Sequence, residues 1–144
     1  ILDAVKVRYD FVKKALGLKR ENLFETLSNI KNRGFKIGLI SDCSPDVPEV
    51  WNTVEYSHYF DSVIFSCEVG MKKPNPKIYQ KSIASLNVKF NECYYIGDGG
   101  SDELTGALNV GMHSILIKSY FYKKYVDQWN GDRISCLSEL MNYE

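Results

Sequence analysis

Short apolar runs alternate with longer amphipathic ones along this chain, the pattern of a parallel sheet covered by helices on both faces. The spacing predicts strands at Lys36–Ser41 (KIGLIS), Ser62–Ser66 (SVIFS), Cys93–Gly97 (CYYIG) and His113–Ile117 (HSILI), with a weaker fifth near Arg133–Ser135. The middle runs are apolar throughout, as strands buried on both faces are. The helices between them have readable ends. Asn22–Arg33 puts Leu23, Leu27 and Ile30 on one stripe, carries Lys31 and Arg33 in its last turn and stops at Gly34. Another starts at Asn75-Pro76, a cap residue followed by proline at the first helical position, and aligns Tyr79, Ile83 and Leu86. A third runs from Ser101 to Gly111 with Leu104, Ala107 and Leu108 inward. A terminal helix is expected at Leu137–Tyr143, and the irregular stretch Asp42–Tyr59 is expected to hold one around Val47–Val54. Residues 1–20 make a poorer unit, in which Val5, Tyr9, Val12 and Leu16 form an amphipathic helix ending at Gly17. Nothing in that segment speaks of chemistry.

Composition narrows the function more than the fold. With 144 residues the chain fits one domain of ordinary size. The formal net charge is zero, so no global field favours nucleic acid or a membrane surface. The ten Tyr are not interleaved with a dense run of Lys and Arg, which argues against stacking on bases. No apolar run approaches the ~20 residues that span a bilayer, and the opening ILDAVKVRYD has no signal-peptide pattern. Cys43, Cys67, Cys93 and Cys136 are widely spaced without a C-x-x-C pair, so free thiols in a reducing cytoplasm are expected.

The candidate chemistry lies at strand ends, because ligands of open parallel sheets sit beyond the carboxyl ends of the strands. Ser41-Asp42 ends KIGLIS, Lys73 follows the second strand in GMKKPNPKIY, and Asp98 ends CYYIG ahead of Gly99-Gly100-Ser101-Asp102. Taken singly, the serine is a turn former, the lysine a surface charge and the aspartates a turn and helix cap. Together, in this order and each at a strand end, they make a toolkit for phosphate and a metal ion.

With these motifs the chain resembles the haloacid dehalogenase superfamily of aspartate-dependent phosphohydrolases, from about Asn22 to Glu144. GLISDCS is similar to the family's second motif, EVGMKKPNPKIY to its third, and YYIGDGGSDELTGALNVGM to its fourth. FDSVIFSCEVG also looks like members with a helical cap inserted after their first motif. The resemblance implies a three-layer, Rossmann-like α/β core over residues 21–144, with residues 1–20 as a cap remnant or linker helix. It implies that Ser41, with the backbone of Asp42, donates to a phosphate oxygen. Lys73 would neutralise charge on the nucleophile and the transferring phosphoryl group, a task suited to a point charge. Asp98 would bind Mg2+, a hard cation that prefers oxygen ligands. Asp102 would act from behind, through water or by holding Lys73. The implied substrate is a small phosphorylated metabolite.

The family's first motif is a hydrophobic strand ending in D-x-D-x-T, whose first Asp attacks phosphorus and whose second is the general acid and base. No D-x-D occurs before Ser41, and VKVRYDFV offers Asp10 but has Val12 in the second position. The expectation is therefore a core without its first strand and most of its cap, inactive by itself and weak toward Mg2+. In the family that strand lies between the strands ending in Ser41 and Asp98. Either this gap closes, or an N-terminal piece or a second copy fills it. The competing reading is a degenerate, non-catalytic module that binds anions or a partner. Other enzyme classes fit worse. Asp102 occupies the place of the third glycine in G-x-G-x-x-G, and no P-loop sequence is present. The residues six beyond the four cysteines are Glu49, Lys73, Gly99 and Asn142, never the Arg of a cysteine phosphatase. Trp51, Trp129 and the aromatics of Tyr120–Tyr125 are expected to serve packing and surface, and His58 and His113 are too far apart in sequence to suggest zinc.

Overall fold

A computed structural model describes residues 2–119 and 128–143. In chain order the elements are α1 (Leu2–Gly17), α2 (Leu23–Asn32), β1 (Gly38–Ser41), α3 (Asp46–Trp51), β2 (Ser62–Phe65), α4 (Ser66–Val69), α5 (Pro76–Leu86), β3 (Tyr94–Gly97), α6 (Glu103–Asn109), β4 (His113–Ile117) and β5 (Asp132–Ile134). All five expected strands are present, and every pairing among them is parallel. β1 begins two residues later than its apolar run suggests. Asp61 intervenes: its carboxylate accepts the Ile37 N–H at 2.7 Å and its own N–H donates to the Ile37 carbonyl at 2.7 Å. That exchange takes both backbone groups of Ile37 before a ladder can.

The sheet is in two halves. β1 pairs with β2, and β3 pairs with β4, which pairs with β5. Among the described residues β1 and β3 share no ladder, so the gap between the strands ending in Ser41 and Asp98 does not close. What joins the halves is helix. α5 packs on both β1 and β2 and touches α6, which lies against β3 and β4. Ile78 and Tyr79 of α5 are fully buried with Ala107 and Met112, and Ile40, Ile64 and Tyr95 close around them from both halves. Burying a side chain the size of Ile78 contributes about 1.5–3 kcal/mol. Among the described residues β1 and β3 each have a ladder on one side only, and an open strand edge is the template another strand needs.

Helix punctuation follows the sequence closely. Gly34 takes a positive φ of 84° just past α2, and Asn75 caps α5 by accepting the Lys77 N–H at 3.0 Å. Two inward assignments fail. Leu108 is 48% exposed because α6 turns only Leu104 and Ala107 to the sheet, and Val5 is 63% exposed because α1 docks on α3 through its middle, at Val12. Tyr56 secures that docking by donating its hydroxyl to the Leu16 carbonyl at 2.7 Å. The terminal helix is instead a 3-10 helix, Leu137–Asn142, held by Glu139, which accepts the N–H groups of Ser135 and Cys136 at 2.8 and 3.1 Å. Trp51 is a packing residue, edge-on to Tyr56, Phe60 and Phe65. Trp129 donates to the Asp132 carbonyl at 3.0 Å. The aromatics of Tyr120–Tyr125 lie outside the described residues. His58 stacks on Tyr59 and His113 on Tyr94. No described helix is long and apolar enough to cross a membrane.

Candidate active site

The rim at the carboxyl ends of β1 and β3 carries one continuous chain of hydrogen bonds. Ser41 closes β1, and Asp42 beside it accepts the Lys73 N–H through Oδ1 at 3.1 Å. The Lys73 ammonium donates to Oε2 of Glu103 at 2.6 Å. Glu103 accepts the Tyr95 hydroxyl at 2.9 Å on the same oxygen and the Gly99 N–H at 3.2 Å on Oε1. Gly99 follows Asp98, whose Oδ1 accepts the Gly100 N–H at 3.2 Å. The path thus runs from the end of β1 to the end of β3, two strands that do not pair with each other among the described residues.

Local structure fixes Lys73 firmly. Gly70, at φ 68°, ends α4, and Asn75-Pro76 opens α5, so the lysine sits on a short segment between two defined helix ends. Its side chain is only 11% exposed and that of Glu103 6%. The turn into α6 is sharper still. Gly99 has φ 91°, and Ser101 and Asp102 are left-handed at φ 56° and 50°. Two such non-glycine residues cost about 1–3 kcal/mol each, strain that tends to gather at functional sites. Its effect is to aim the first residue of α6 back across the rim.

That residue is Glu103. The acid holding Lys73 is therefore not Asp102, which is exposed and makes no side-chain cap bond to α6. With Ser101 and Asp102 left-handed, the α-helix begins only at Glu103. A signal for Glu103 does exist in the sequence, since it stands four residues before Ala107 on the inward face of the same helix. Asp42 keeps one open acceptor, because its Oδ2 is buried without a hydrogen-bond partner among the described residues. Such an atom costs about 1–3 kcal/mol until a donor meets it.

Gly97 is required here for room. A Cβ at that position would lie 2.2 Å from Oε1 and 2.6 Å from Cδ of Glu103. Gly97→Ala is expected to push the carboxylate off Lys73 and to cost about 1–3 kcal/mol as an overpacking change. Urea unfolding of wild type and variant measures it, and an unchanged midpoint would show that Glu103 has another place to go.

The phenols beside Glu103 hold their protons. Burial first, then the Glu103 charge, pushes both Tyr95 and Tyr79 well above the usual tyrosine range. Tyr79 spends its proton on the Glu103 carbonyl, at 2.9 Å. Because the folded values are raised, their contribution is fully present below the unfolded value and is lost as pH climbs past it. Stability is expected to fall from about pH 10 upward, by up to about 1.4 kcal/mol per pH unit for each tyrosine. Tyr95→Phe should flatten that slope in alkaline urea melts, and an unaltered slope would place its cause elsewhere.

A profile of the haloacid dehalogenase-like hydrolases matches residues 7–117. The chain belongs to that family. It is 34% identical over 121 residues to the rhythmically expressed gene 2 protein of Drosophila melanogaster, covering 79% of this chain and 46% of that protein. It is 35% identical over 106 residues to a glyceraldehyde 3-phosphate phosphatase of Pyrococcus furiosus, covering 72% and 42% respectively. The fold superimposes on a haloacid dehalogenase phosphatase from Thermococcus onnurineus with a TM-score of 0.74 at 28% identity, over 85% of this chain and 56% of that one. This haloacid dehalogenase-like chain therefore spans about half the length of the relatives it matches.

Phosphatases of the haloacid dehalogenase family generally use Mg2+, which prefers six oxygen ligands in a near-ideal octahedron. Asp98 offers a carboxylate at the end of β3, but among the described residues no cluster of three or more Asp, Glu, His or Cys forms that could hold a metal. These residues supply one corner of such a site and do not complete it. What they do assemble is a fixed cation, Lys73, tied to Asp42 at the end of β1 and through Glu103 to the Gly99 N–H of the turn after β3, a combination suited to an oxyanion.

Proposed function

We propose that this chain is the phosphoryl-binding part of a Mg2+-dependent phosphate monoester hydrolase that works through an aspartyl-phosphate. The nucleophilic aspartate would come on a strand pairing between β1 and β3. The observation behind this reading is the hydrogen-bonded path from Asp42 through Lys73 and Glu103 to Gly99, which joins the ends of the two strands that leave that gap. In the proposed reaction Ser41 and the Asp42 N–H donate to a phosphate oxygen while Lys73 offsets the growing negative charge. The incoming aspartate attacks phosphorus, the P–O bond to the substrate alcohol breaks, and a second acid of the same strand protonates the leaving oxygen. Water then opens the acyl phosphate and frees inorganic phosphate. Asp98 is this chain's contribution to Mg2+, weak until further oxygen ligands join it. Asp102 keeps at most a role through water at the rim.

The substrate is proposed to be a small phosphorylated metabolite in the cytoplasm, where the four free cysteines fit a reducing medium. The name of the Pyrococcus relative makes glyceraldehyde 3-phosphate the first to try. The missing strand is proposed to come from an upstream segment of the same polypeptide, with a second copy as the other source. The 144-residue chain alone should show no turnover of p-nitrophenyl phosphate. A longer product of the same gene, bearing an upstream D-x-D, should turn it over with Mg2+ and lose that activity on Asp98→Asn. Robust hydrolysis by the short chain, abolished by Asp98→Asn, would overturn this reading. A non-catalytic anion-binding module is the second reading, and a gene with no D-x-D upstream of this chain would select it.

A further inference from the structure

The ends of β1 and β2 bring two thiols together. In their parallel register Ser41 stands opposite Phe65, so Cys43 and Cys67, each two residues beyond a strand end, leave the sheet side by side. Their Sγ atoms are 3.8 Å apart. The backbone between them is pinned, since the Cys43 N–H donates to Ser66 Oγ at 3.0 Å and the Ser66 hydroxyl reaches the Cys43 carbonyl at 3.4 Å. Both thiols are free and half-buried. No third Cys, His, Asp or Glu gathers with them among the described residues, which leaves them short of a structural metal site.

We propose that Cys43 and Cys67 form a redox pair, oxidised by hydrogen peroxide to an intramolecular disulfide that loosens the phosphate grip of the Ser41–Asp42 segment. In the first step the Cys67 sulfur attacks a peroxide oxygen, the O–O bond breaks, and a sulfenic acid and one water form. The Cys43 sulfur then attacks the Cys67 sulfur, gives up its proton and displaces the hydroxyl as a second water. Two thiols are oxidised and one peroxide is reduced. Burial and the neighbouring Cys67 push the Cys43 thiol up to about 11, which disfavours it as the sulfur that meets peroxide first, because the thiolate is the nucleophile. A disulfide sets its sulfurs about 2.05 Å apart, so the pair must draw in from its present spacing. Cys43 is bonded directly to Asp42, whose carboxylate takes the Lys73 N–H, so this movement is felt at the first link of the rim network. The pairing of the thiols stands by itself; the loss of phosphate grip rests on the function proposed above.

The test is peroxide treatment of the full-length protein, followed by non-reducing peptide mapping and by p-nitrophenyl phosphate turnover before and after dithiothreitol. The expected result is a Cys43–Cys67 cross-linked peptide and a loss of turnover of about tenfold or more, both reversed by dithiothreitol. Cys67→Ser should keep its basal turnover and resist peroxide, while Cys93→Ser should respond as wild type does. Sulfinic acid at Cys43 or Cys67 without a cross-link, or a cross-link that leaves turnover unchanged, would overturn the proposal. A cross-link in a protein with no turnover even when reduced would keep the redox pair and sink the phosphatase reading instead.

Discussion

Lys73→Met in the full-length protein is expected to lower phosphatase turnover by about 10²–10³-fold, the range found when one preorganised charge-stabilising donor is removed. The loss should fall on kcat more than on KM, because the ammonium matters most where charge builds up between nucleophile and phosphoryl group. The structure gives the lysine little freedom to be replaced in function. It is held at the backbone by Asp42 and at the ammonium by Glu103, on a segment bounded by two helix ends. Lys72, the adjacent cation, is exposed and has no such seat. Steady-state kinetics on p-nitrophenyl phosphate would decide this, and a variant with wild-type kcat would remove Lys73 from the chemistry.

Glu103→Gln carries the largest expected effect on stability. Glutamine has one acceptor oxygen, so it can keep the Tyr95 hydroxyl or the Gly99 N–H as donor but not both, and it leaves the Lys73 ammonium nearly buried without its counter-charge. Breaking one side of a buried pair costs about 3–5 kcal/mol, mostly the penalty of the stranded charge. The double variant Lys73→Met/Glu103→Gln removes both charges, so its stability should return most of the way to wild type while turnover stays lost. Urea unfolding of the four proteins forms a cycle that separates the two roles. If the single change costs less than about 1 kcal/mol, the pair is solvated like a surface bridge and the rim is looser than its geometry says.

How much of this was legible in the chain varied with the kind of contact. Strand positions and polarity could be read because KIGLIS, SVIFS, CYYIG and HSILI are apolar runs bounded by turn residues, and Asn75-Pro76 and Gly34 mark helix ends by local chemistry. That the segments after β1 and β3 meet through Lys73 could be read in outline because parallel strands put their carboxyl ends on the same side. The identity of Lys73's partner could not be read as easily. It depends on two consecutive left-handed residues, Ser101 and Asp102, and neither is the glycine that would advertise that backbone. Leu108 was misplaced because the inward stripe of α6 is centred on Glu103 and Ala107, flanked by Leu104 and Gly106, and a buried glutamate is not a residue that marks an inward face. The closeness of Cys43 and Cys67 was hidden because it follows from the register of two strands distant in sequence. The open gap, by contrast, was foreshadowed by the lack of a D-x-D strand before Ser41.

A crystal structure of the full-length protein with tungstate, a tetrahedral mimic of phosphate, addresses the oxyanion pocket most directly. The anion should sit beyond β1 and β3 with its oxygens in hydrogen-bond reach of the Ser41 hydroxyl and the Lys73 ammonium, and a further strand should lie between those two. Tungstate bound elsewhere while Ser41 and Lys73 touch nothing in common, or β1 and β3 paired directly with each other, would contradict the account.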